Sequence, residues 1–262
     1  MSKRSISLLL VFLLLLMSFE ARATVLYVRF SNTEIVIGAD SKRTAETGAT
    51  VCVCKITRIN DVFVASAGLA EYGDFDPREI AKDALADTHD LVEARDRFQQ
   101  LIESPLLNVL TKIKNRNPDR YAAFKQGAAV NMIFARFNDI PELVGTALTP
   151  RDTRNGSITL DRRPITLIGE QKRSQRIFVG VSKRAEMILD RPSLWANGTV
   201  AGVQRILQMS LEDNKEAGGP TDIVQLTKNG VKWSPHEPDC DGKSRRREQP
   251  GSCNAPSGQT AH

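Results

Sequence analysis

The first half of the chain, beyond an apolar run at its start, alternates short segments rich in β-branched residues with turn-forming residues. Segments of this kind, bounded by Asn, Asp, Ser or Gly, predict β-strands. The predicted strands cover residues 25–30, 34–39, 50–56 and 62–67. Since they follow one another with short connections, we expect an antiparallel meander.

The spacing of apolar residues changes from two to three and four after Asp76 and Pro77, and keeps that period to Ile113. This spacing is typical of helices that bury one face, and an Asp–Pro pair is a common helix start. Later segments again predict strands, at residues 129–137, 143–148, 158–160, 177–179, 222–226 and 231–233, with one helix at 199–214. The order strands, helices, strands, helix, strand predicts an α+β fold in which sheets pack between helical layers.

The first 23 residues have the pattern of a cleavable export signal. Lys3 and Arg4 precede an apolar run over residues 8–17, and Ala21-Arg22-Ala23 follows as a small-residue cleavage site. The run is shorter than the roughly 20 residues of a stable membrane anchor. We therefore expect a signal peptide over 1–23, a single domain over 24–233, and a secreted or periplasmic protein. Residues 234–262 are rich in Pro, Ser, Gly and charge, which predicts a disordered tail.

The charge balance gives little support for a nucleic-acid partner. Removal of the signal takes away three basic residues and one acidic residue, so the net charge falls from +5 to about +3. Aromatic residues make up 6% of the chain and do not alternate with basic residues. Nucleic-acid binding by a basic patch is therefore not expected.

The four cysteines form two pairs in the sequence. Cys240 and Cys253 lie in the tail, where a flexible loop would allow a disulfide in an exported protein. Cys52 and Cys54 lie two residues apart on a predicted strand, where a mutual bridge would strain the backbone. We expect these two to be core thiols, with metal binding as the less favoured alternative.

Histidine-based catalysis has little support. The chain has three histidines, one on a predicted helical face and two in the tail, at positions 89, 236 and 262. It contains no G-x-S-x-G sequence. A Ser–His–Asp or Cys–His enzyme and a histidine-ligated zinc site are therefore not expected.

Cleavage after Ala23 would create a different nucleophile. Thr24 would then carry both a hydroxyl and a free α-amine, and the amine can accept the hydroxyl proton directly or through water. An α-amine has an ordinary pKa near about 8, so it can act as a base near neutral pH. The alternative is that an exported protein begins with threonine by accident.

Two charged residues close to predicted strands could assist Thr24. Lys55 lies in an otherwise apolar run, so it is either at a sheet edge or buried and paired. Asp40 follows an apolar strand and could be a turn residue or the partner of Lys55. As a pair, they would hold an ammonium beside the hydroxyl and lower its pKa.

Several segments together resemble a known family, the N-terminal-nucleophile hydrolases of the proteasome β-subunit type. The N-terminal matches are Thr24, the run Gly38-Ala39-Asp40-Ser41-Lys42 with Asp40 sixteen residues after Thr24, Lys55-Ile56, and Ala65-Ser66-Ala67-Gly68. The C-terminal matches are the helix before Ala217-Gly218-Gly219 and the strand at residues 222–226. The resemblance covers most of residues 24–233.

The resemblance implies a four-layer αββα sandwich with two antiparallel sheets between helical layers. It implies that Thr24 is the nucleophile, that Asp40 orients the cationic activator Lys55, and that the Gly68 N–H serves an oxyanion hole. The expected activity is amide-bond hydrolysis of a peptide, with neither a cofactor nor a metal. Rings are common in the family, so a homo-oligomer is also compatible with the resemblance.

The sequence departs from the family pattern at several positions. Lys55 comes one residue earlier than usual, Ala217 stands where a serine precedes the paired glycines, and Asn214 stands where an aspartate is usual. The usual Gly-Ser-Gly of the second half is present only as Gly180-Val181-Ser182. These departures leave two alternatives open: a non-catalytic exported binding or assembly module, and an amidase of the same type that acts on small amides.

Overall fold

The computed structural model describes residues 24–44, 50–169, 171, 173–214 and 217–234, with the backbone alone described for 43, 44 and 50–52. The expected signal peptide, all of the expected tail except Ser234, and the expected Cys240–Cys253 bridge lie outside the described residues. The strands are β1 Leu26–Phe30, β2 Ile35–Asp40, β3 Lys42–Thr44, β4 Thr50–Cys52, β5 Ile56–Ile59, β6 Val62–Gly68, β7 Val130–Phe137, β8 Pro141–Asp152, β9 Ile158–Ile168, β10 Gln175–Val179, β11 Thr221–Thr227 and β12 Gly230–Ser234. The helices are α1 Pro77–Leu85, α2 Leu91–Arg116, α3 Pro118–Gln126, α4 Lys183–Glu186, α5 Pro192–Trp195 and α6 Thr199–Asp213.

Two five-stranded antiparallel sheets organise the described residues. The first sheet has the strand order β10-β1-β2-β11-β12, and the second has the order β5-β6-β7-β8-β9. A third, two-stranded sheet pairs β3 with β4. With six helices, the fold is α+β and compatible with a sandwich.

Buried apolar side chains form three clusters. One joins α1, α2 and α3 to the second sheet, through residues that include Phe98 and Phe134. Another lies between the two five-stranded sheets, through residues that include Ile37 and Ile133. The remaining cluster joins the first sheet to α4 and α6. The strands β2 and β6 are therefore buried on both faces, which explains their long apolar runs.

The helix starts follow the expected chemistry. The side chain of Asp76 accepts a hydrogen bond from the backbone N–H of Arg78, and Pro77 occupies the first turn of α1. Asp90 caps α2 in the same way. The helical layer predicted up to Ile113 is confirmed, although it is divided into α1 and α2 and is followed by α3.

Two expectations about the first four strands are wrong. They do not form one meander, because β1 and β2 pair in the first sheet whereas β5 and β6 pair in the second. The strand expected over residues 50–56 is broken at 53–55, where the backbone leaves β4 and enters β5. At this break the Val53 N–H donates to the Ser41 carbonyl at 2.8 Å, which turns the chain from the small sheet towards the second sheet.

The second half has the expected elements with longer strands. β8 and β9 extend well beyond the predicted 143–148 and 158–160, because their long antiparallel ladder continues through polar and exposed residues. Apolar alternation cannot show such an extension. The short helices α4 and α5 were not predicted, and each has only four residues.

Candidate active site

Thr24 lies at the entry to β1, beside the end of β2. The antiparallel register pairs Leu26 with Ala39, so Val25, which directly precedes β1, lies next to Asp40. The Val25 N–H donates to Asp40 Oδ1 at 2.8 Å, and the Asp40 N–H donates to the Val25 carbonyl at 3.1 Å. Thr24 is only 6% exposed. Hydrogen bonds at both the N–H and the carbonyl of Val25, one with the side chain and one with the backbone of Asp40, therefore fix the position of Thr24.

Lys55 connects Thr24 and Asp40 through its ammonium group. Lys55 Nζ donates to Asp40 Oδ1 at 2.6 Å and to Thr24 Oγ1 at 3.2 Å. Lys55 is 4% exposed and Asp40 is fully buried. The predicted contact between Lys55 and Asp40 is present, well within the range in which a charge strongly affects a neighbour.

Burial lowers the pKa of Lys55 below its ordinary value, since an ammonium loses its hydration in the interior. The charge of Asp40 and its hydrogen bond act in the opposite direction, and Asp222 adds to them. Lys42 lowers the pKa further as a like charge. The ammonium is thus placed where it interacts strongly with a neighbouring hydroxyl but loses its proton more easily than a surface lysine.

Three donors hold the Asp40 carboxylate. Oδ1 accepts from the Val25 N–H and from Lys55 Nζ, and Oδ2 accepts from the Gly218 N–H at 3.1 Å. Gly218 is itself tied to β3 through a bond from the Lys42 N–H to its carbonyl, at 2.9 Å. A carboxylate with its oxygens occupied in this way is fixed in orientation, so it can in turn orient Lys55.

Gly68 ends β6 in a left-handed backbone conformation, with φ at +99°. A Cβ atom at this position would lie 2.4 Å from the Ala129 carbonyl oxygen, so only glycine fits. The Ser66 N–H donates to the Lys55 carbonyl at 3.0 Å, whereas the Leu69 N–H donates to Ala129. Because N–H directions alternate along a strand, the Gly68 N–H is directed to the same side of β6 as that of Ser66, towards the Lys55 segment.

Cys54 corrects the expectation of a core thiol. It is half-buried and forms a disulfide, and no other cysteine side chain is described. It lies in the irregular segment 53–55 rather than within a strand, so the argument against a bridge from strand geometry does not apply to it. The disulfide is thus adjacent in sequence to Lys55.

Sequence reasoning missed three contributors to the site. The Gly218 N–H holds Asp40, the buried Asp222 on β11 acts on the charge of Lys55, and Arg78 on α1 bonds the Cys54 carbonyl at 3.2 Å. Asp222 was recognised only as a strand start, although an acidic residue beside Ile223 and Val224 is as unusual as Lys55 in its own apolar run. The bond from Arg78 has no sequence signal, because its acceptor is a backbone carbonyl 24 residues away, and every residue has such a carbonyl.

The positions that depart from the family pattern have structural roles. Ser182 caps α4, where its hydroxyl accepts from the Ala185 N–H and its own N–H donates to Ser210 Oγ. Ala217 is buried and donates its N–H to the Asn214 carbonyl at 3.2 Å. At position 217 the chain therefore has no hydroxyl for a proton relay.

Within the part of the chain that the structure describes, no group of three or more His, Cys, Asp or Glu side chains is arranged to hold a metal ion. None of the helices in that part combines the length and apolar character that a membrane span needs. No protein-family model matches the chain, and no curated protein matches it either.

Proposed function

We propose that the chain is an exported hydrolase that uses Thr24 as an N-terminal nucleophile to cleave amide bonds, with peptides as the favoured substrates. The observation that carries the proposal is the buried contact of one ammonium with both a hydroxyl and a carboxylate: Lys55 Nζ lies 3.2 Å from Thr24 Oγ1 and 2.6 Å from Asp40 Oδ1. A buried lysine costs free energy unless it is paired, and this one is shared with a hydroxyl. Such a cluster favours a chemical role over a purely structural one.

The proposed reaction begins after a peptidase has removed residues 1–23, which frees the α-amine of Thr24. The amine accepts the hydroxyl proton, directly or through water, and Oγ1 attacks the substrate carbonyl carbon. The Lys55 ammonium stabilises the oxygen as its charge develops, and Asp40 keeps the ammonium in place. The Gly68 N–H donates to the carbonyl oxygen of the tetrahedral intermediate.

Collapse of that intermediate breaks the amide bond and leaves an ester on Thr24. The proton held by the α-amine passes to the leaving nitrogen, which departs as an amine. Water then attacks the ester with the same amine as base, and releases the acid and the free hydroxyl. The sequence of steps needs no group other than the chain, the substrate and water.

The proposed architecture is a four-layer αββα sandwich. Its support is the placement of the three apolar clusters: one between α1–α3 and the second sheet, one between the two sheets, and one between the first sheet and α4 and α6. Lys55, directly before β5 of the second sheet, bonds Asp40 at the end of β2 of the first sheet. The proposed location of the working protein is the extracellular space or a periplasm.

A non-catalytic binding or assembly module is the second candidate, favoured by the buried alanine at 217 in place of a hydroxyl residue. An amidase that acts on small amides is a narrower variant of the main proposal. A panel of peptides and small amides, tested on exported protein and on its Thr24→Ala variant, separates the three. Hydrolysis that depends on Thr24 supports an enzyme, and the preferred substrates then divide peptidase from amidase. Parental and variant proteins that are equally inactive on the whole panel favour the module.

A further inference from the structure

The backbone that carries Lys55 is an irregular segment, residues 53–55, between β4 and β5. Its first residue is fixed by the bond from the Val53 N–H to Ser41, and its last by the bond from the Ser66 N–H to the Lys55 carbonyl. Between them, the Cys54 carbonyl accepts a hydrogen bond of 3.2 Å from Arg78 Nη1. That carbonyl belongs to the peptide group that joins Cys54 to Lys55, so Arg78 acts on the backbone directly before the catalytic lysine.

Arg78 is itself held in a fixed orientation by the start of α1. Its Nε and Nη2 donate to the two oxygens of Asp76, at 3.0 and 2.7 Å. Asp76 also caps α1, because its Oδ1 accepts the backbone N–H of Arg78 at 2.8 Å. A planar guanidinium bound by two parallel bonds cannot rotate freely, so the N–H groups of Nη1 point in fixed directions. The side chains of Asp76 and Arg78 thereby connect the start of α1 to residues 53–55.

We propose that Arg78 is a positioning residue that holds the Cys54–Lys55 peptide group so that Lys55 Nζ contacts both Asp40 and Thr24. The inference rests on the proposed function of Thr24 and Lys55. Residues 53–55 belong to no strand, and the two backbone bonds hold only the ends of the segment, so the peptide group between Cys54 and Lys55 depends on the disulfide of Cys54 and on the bond from Arg78. A displacement of about 1 Å in a reacting group can lower a rate by about 100-fold, so a small movement of this segment matters.

The chain offers a matched control in Arg136. Its guanidinium also binds a carboxylate with two bonds, to Glu142 at 3.2 and 2.8 Å, and also donates to a backbone carbonyl, that of His89, at 2.6 Å. Arg136 lies six residues along β7 from Val130, the residue that pairs with Gly68. At about 3.3 Å per residue, it is therefore about 20 Å along the strand from the proposed site. Arg136→Ala removes the same kind of contact from a place where it cannot affect Lys55.

The test measures acylation of Thr24 by a β-lactone, whose ring opens when the hydroxyl attacks its carbonyl. We expect Arg78→Ala and Arg78→Lys to lower the maximal acylation rate by about ten- to 100-fold, with the half-saturating lactone concentration unchanged, while Arg136→Ala keeps the parental rate. Arg78→Lys retains the positive charge but lacks the planar guanidinium that bonds Asp76 and the Cys54 carbonyl together. It therefore tests the positioning role if the alanine variant does not fold. A folded Arg78→Lys protein with the parental rate overturns the inference.

The pH dependence of the acylation rate distinguishes a displaced Lys55 from a general loss of stability. Burial keeps the pKa of Lys55 below its ordinary value, so a Lys55 released towards solvent should titrate at higher pH. Loss of the Lys55 charge should lower the acylation rate at alkaline pH, and this fall should move to higher pH in the Arg78 variants and stay in place in Arg136→Ala. An unshifted profile, or the unfolding of both Arg78 variants, assigns Arg78 to the fold alone and overturns the inference. A parental protein that takes no label contradicts the proposed function itself.

Discussion

The carboxylate of Asp40 accepts a hydrogen bond of 2.8 Å from the backbone N–H of Val25, the residue that follows Thr24. One buried side chain thereby fixes both the strand that presents the hydroxyl and the lysine that contacts it. The relative positions of Thr24 and Lys55 thus depend on Asp40 as well as on the backbone that carries Lys55. This dependence makes the site sensitive to changes that leave most of the fold intact.

Replacement of Lys55 by methionine should abolish most acylation of Thr24 and reduce stability. Methionine keeps much of the side-chain volume, but it leaves the Asp40 carboxylate buried without its cation. Loss of one partner of a buried ion pair costs about 3 kcal/mol, and two backbone N–H donors remain on Asp40 to limit that cost. Urea denaturation should show the decrease in the free energy of unfolding, and a circular dichroism spectrum like that of the parent should show that the fold is kept. Parental acylation by the folded variant would remove Lys55 from the mechanism.

The rate of Thr24 acylation should fall as the pH rises through the pKa of Lys55. The charged form of Lys55 assists the hydroxyl, and burial lowers its pKa, so the fall should begin at lower pH than a surface lysine with a pKa near 10.5 would give. A pH series of the parent and of Lys55→Met measures it. The methionine variant should lack this fall, and an identical fall in both proteins would assign it to another group.

The free energy of unfolding should also depend on the titration of Lys55, with a contribution that increases as the pH rises. Between the lowered pKa of native Lys55 and its ordinary value of 10.5, the unfolded chain holds a proton that the native protein has lost. The contribution of Lys55 to the free energy of unfolding should therefore rise with pH across this window and stay constant below it. The difference between parent and Lys55→Met, measured by urea denaturation at several pH values, isolates this contribution from other groups. A difference that falls with rising pH would contradict the lowered pKa.

Gly68→Ala should reduce both stability and acylation, because an added Cβ would overlap the Ala129 carbonyl and displace the end of β6. Gly198 provides the control, since its φ of +95° is close to that of Gly68 but its Cβ position has no neighbour within 4 Å. Gly198→Ala should cost about 1 kcal/mol from backbone strain and leave acylation unchanged. Thermal unfolding and acylation rates compare the two. Equal effects of both substitutions would show that the close approach at Gly68 has no special role.

Much of the fold could be predicted from the sequence, because the spacing of apolar residues and the identity of turn residues involve only positions close together in the chain. The starts of α1 and α6 and the strands β1, β2 and β6 follow such signals closely. The sorting of β1 and β2 into one sheet and β5 and β6 into the other depends on partners far apart in sequence, such as β11 for β2. Periodicity carries no information on that choice, so the predicted meander was wrong.

The part of the candidate site that could be predicted consists of charged residues that have apolar neighbours in the sequence. Lys55 lies in an apolar run of the sequence and Asp40 ends the apolar strand β2, which is why their contact could be predicted. The Gly218 N–H and Arg78 contribute through a backbone group and a long side chain with ordinary sequence surroundings. The expectation of a core thiol at Cys54 was wrong, because Cys54 forms a disulfide and lies in the irregular segment 53–55 rather than in a strand.

Intact-mass measurement of the exported protein after exposure to a β-lactone shows whether Thr24 is an N-terminal nucleophile. We predict a mass that begins at Thr24 and a shift by one lactone adduct. Thr24→Ser should take the same adduct more slowly, because loss of the methyl group frees the hydroxyl rotamer. Thr24→Ala should show the same start and take no adduct. A protein that begins at another residue, or a Thr24→Ala variant that is labelled like the parent, would contradict the account.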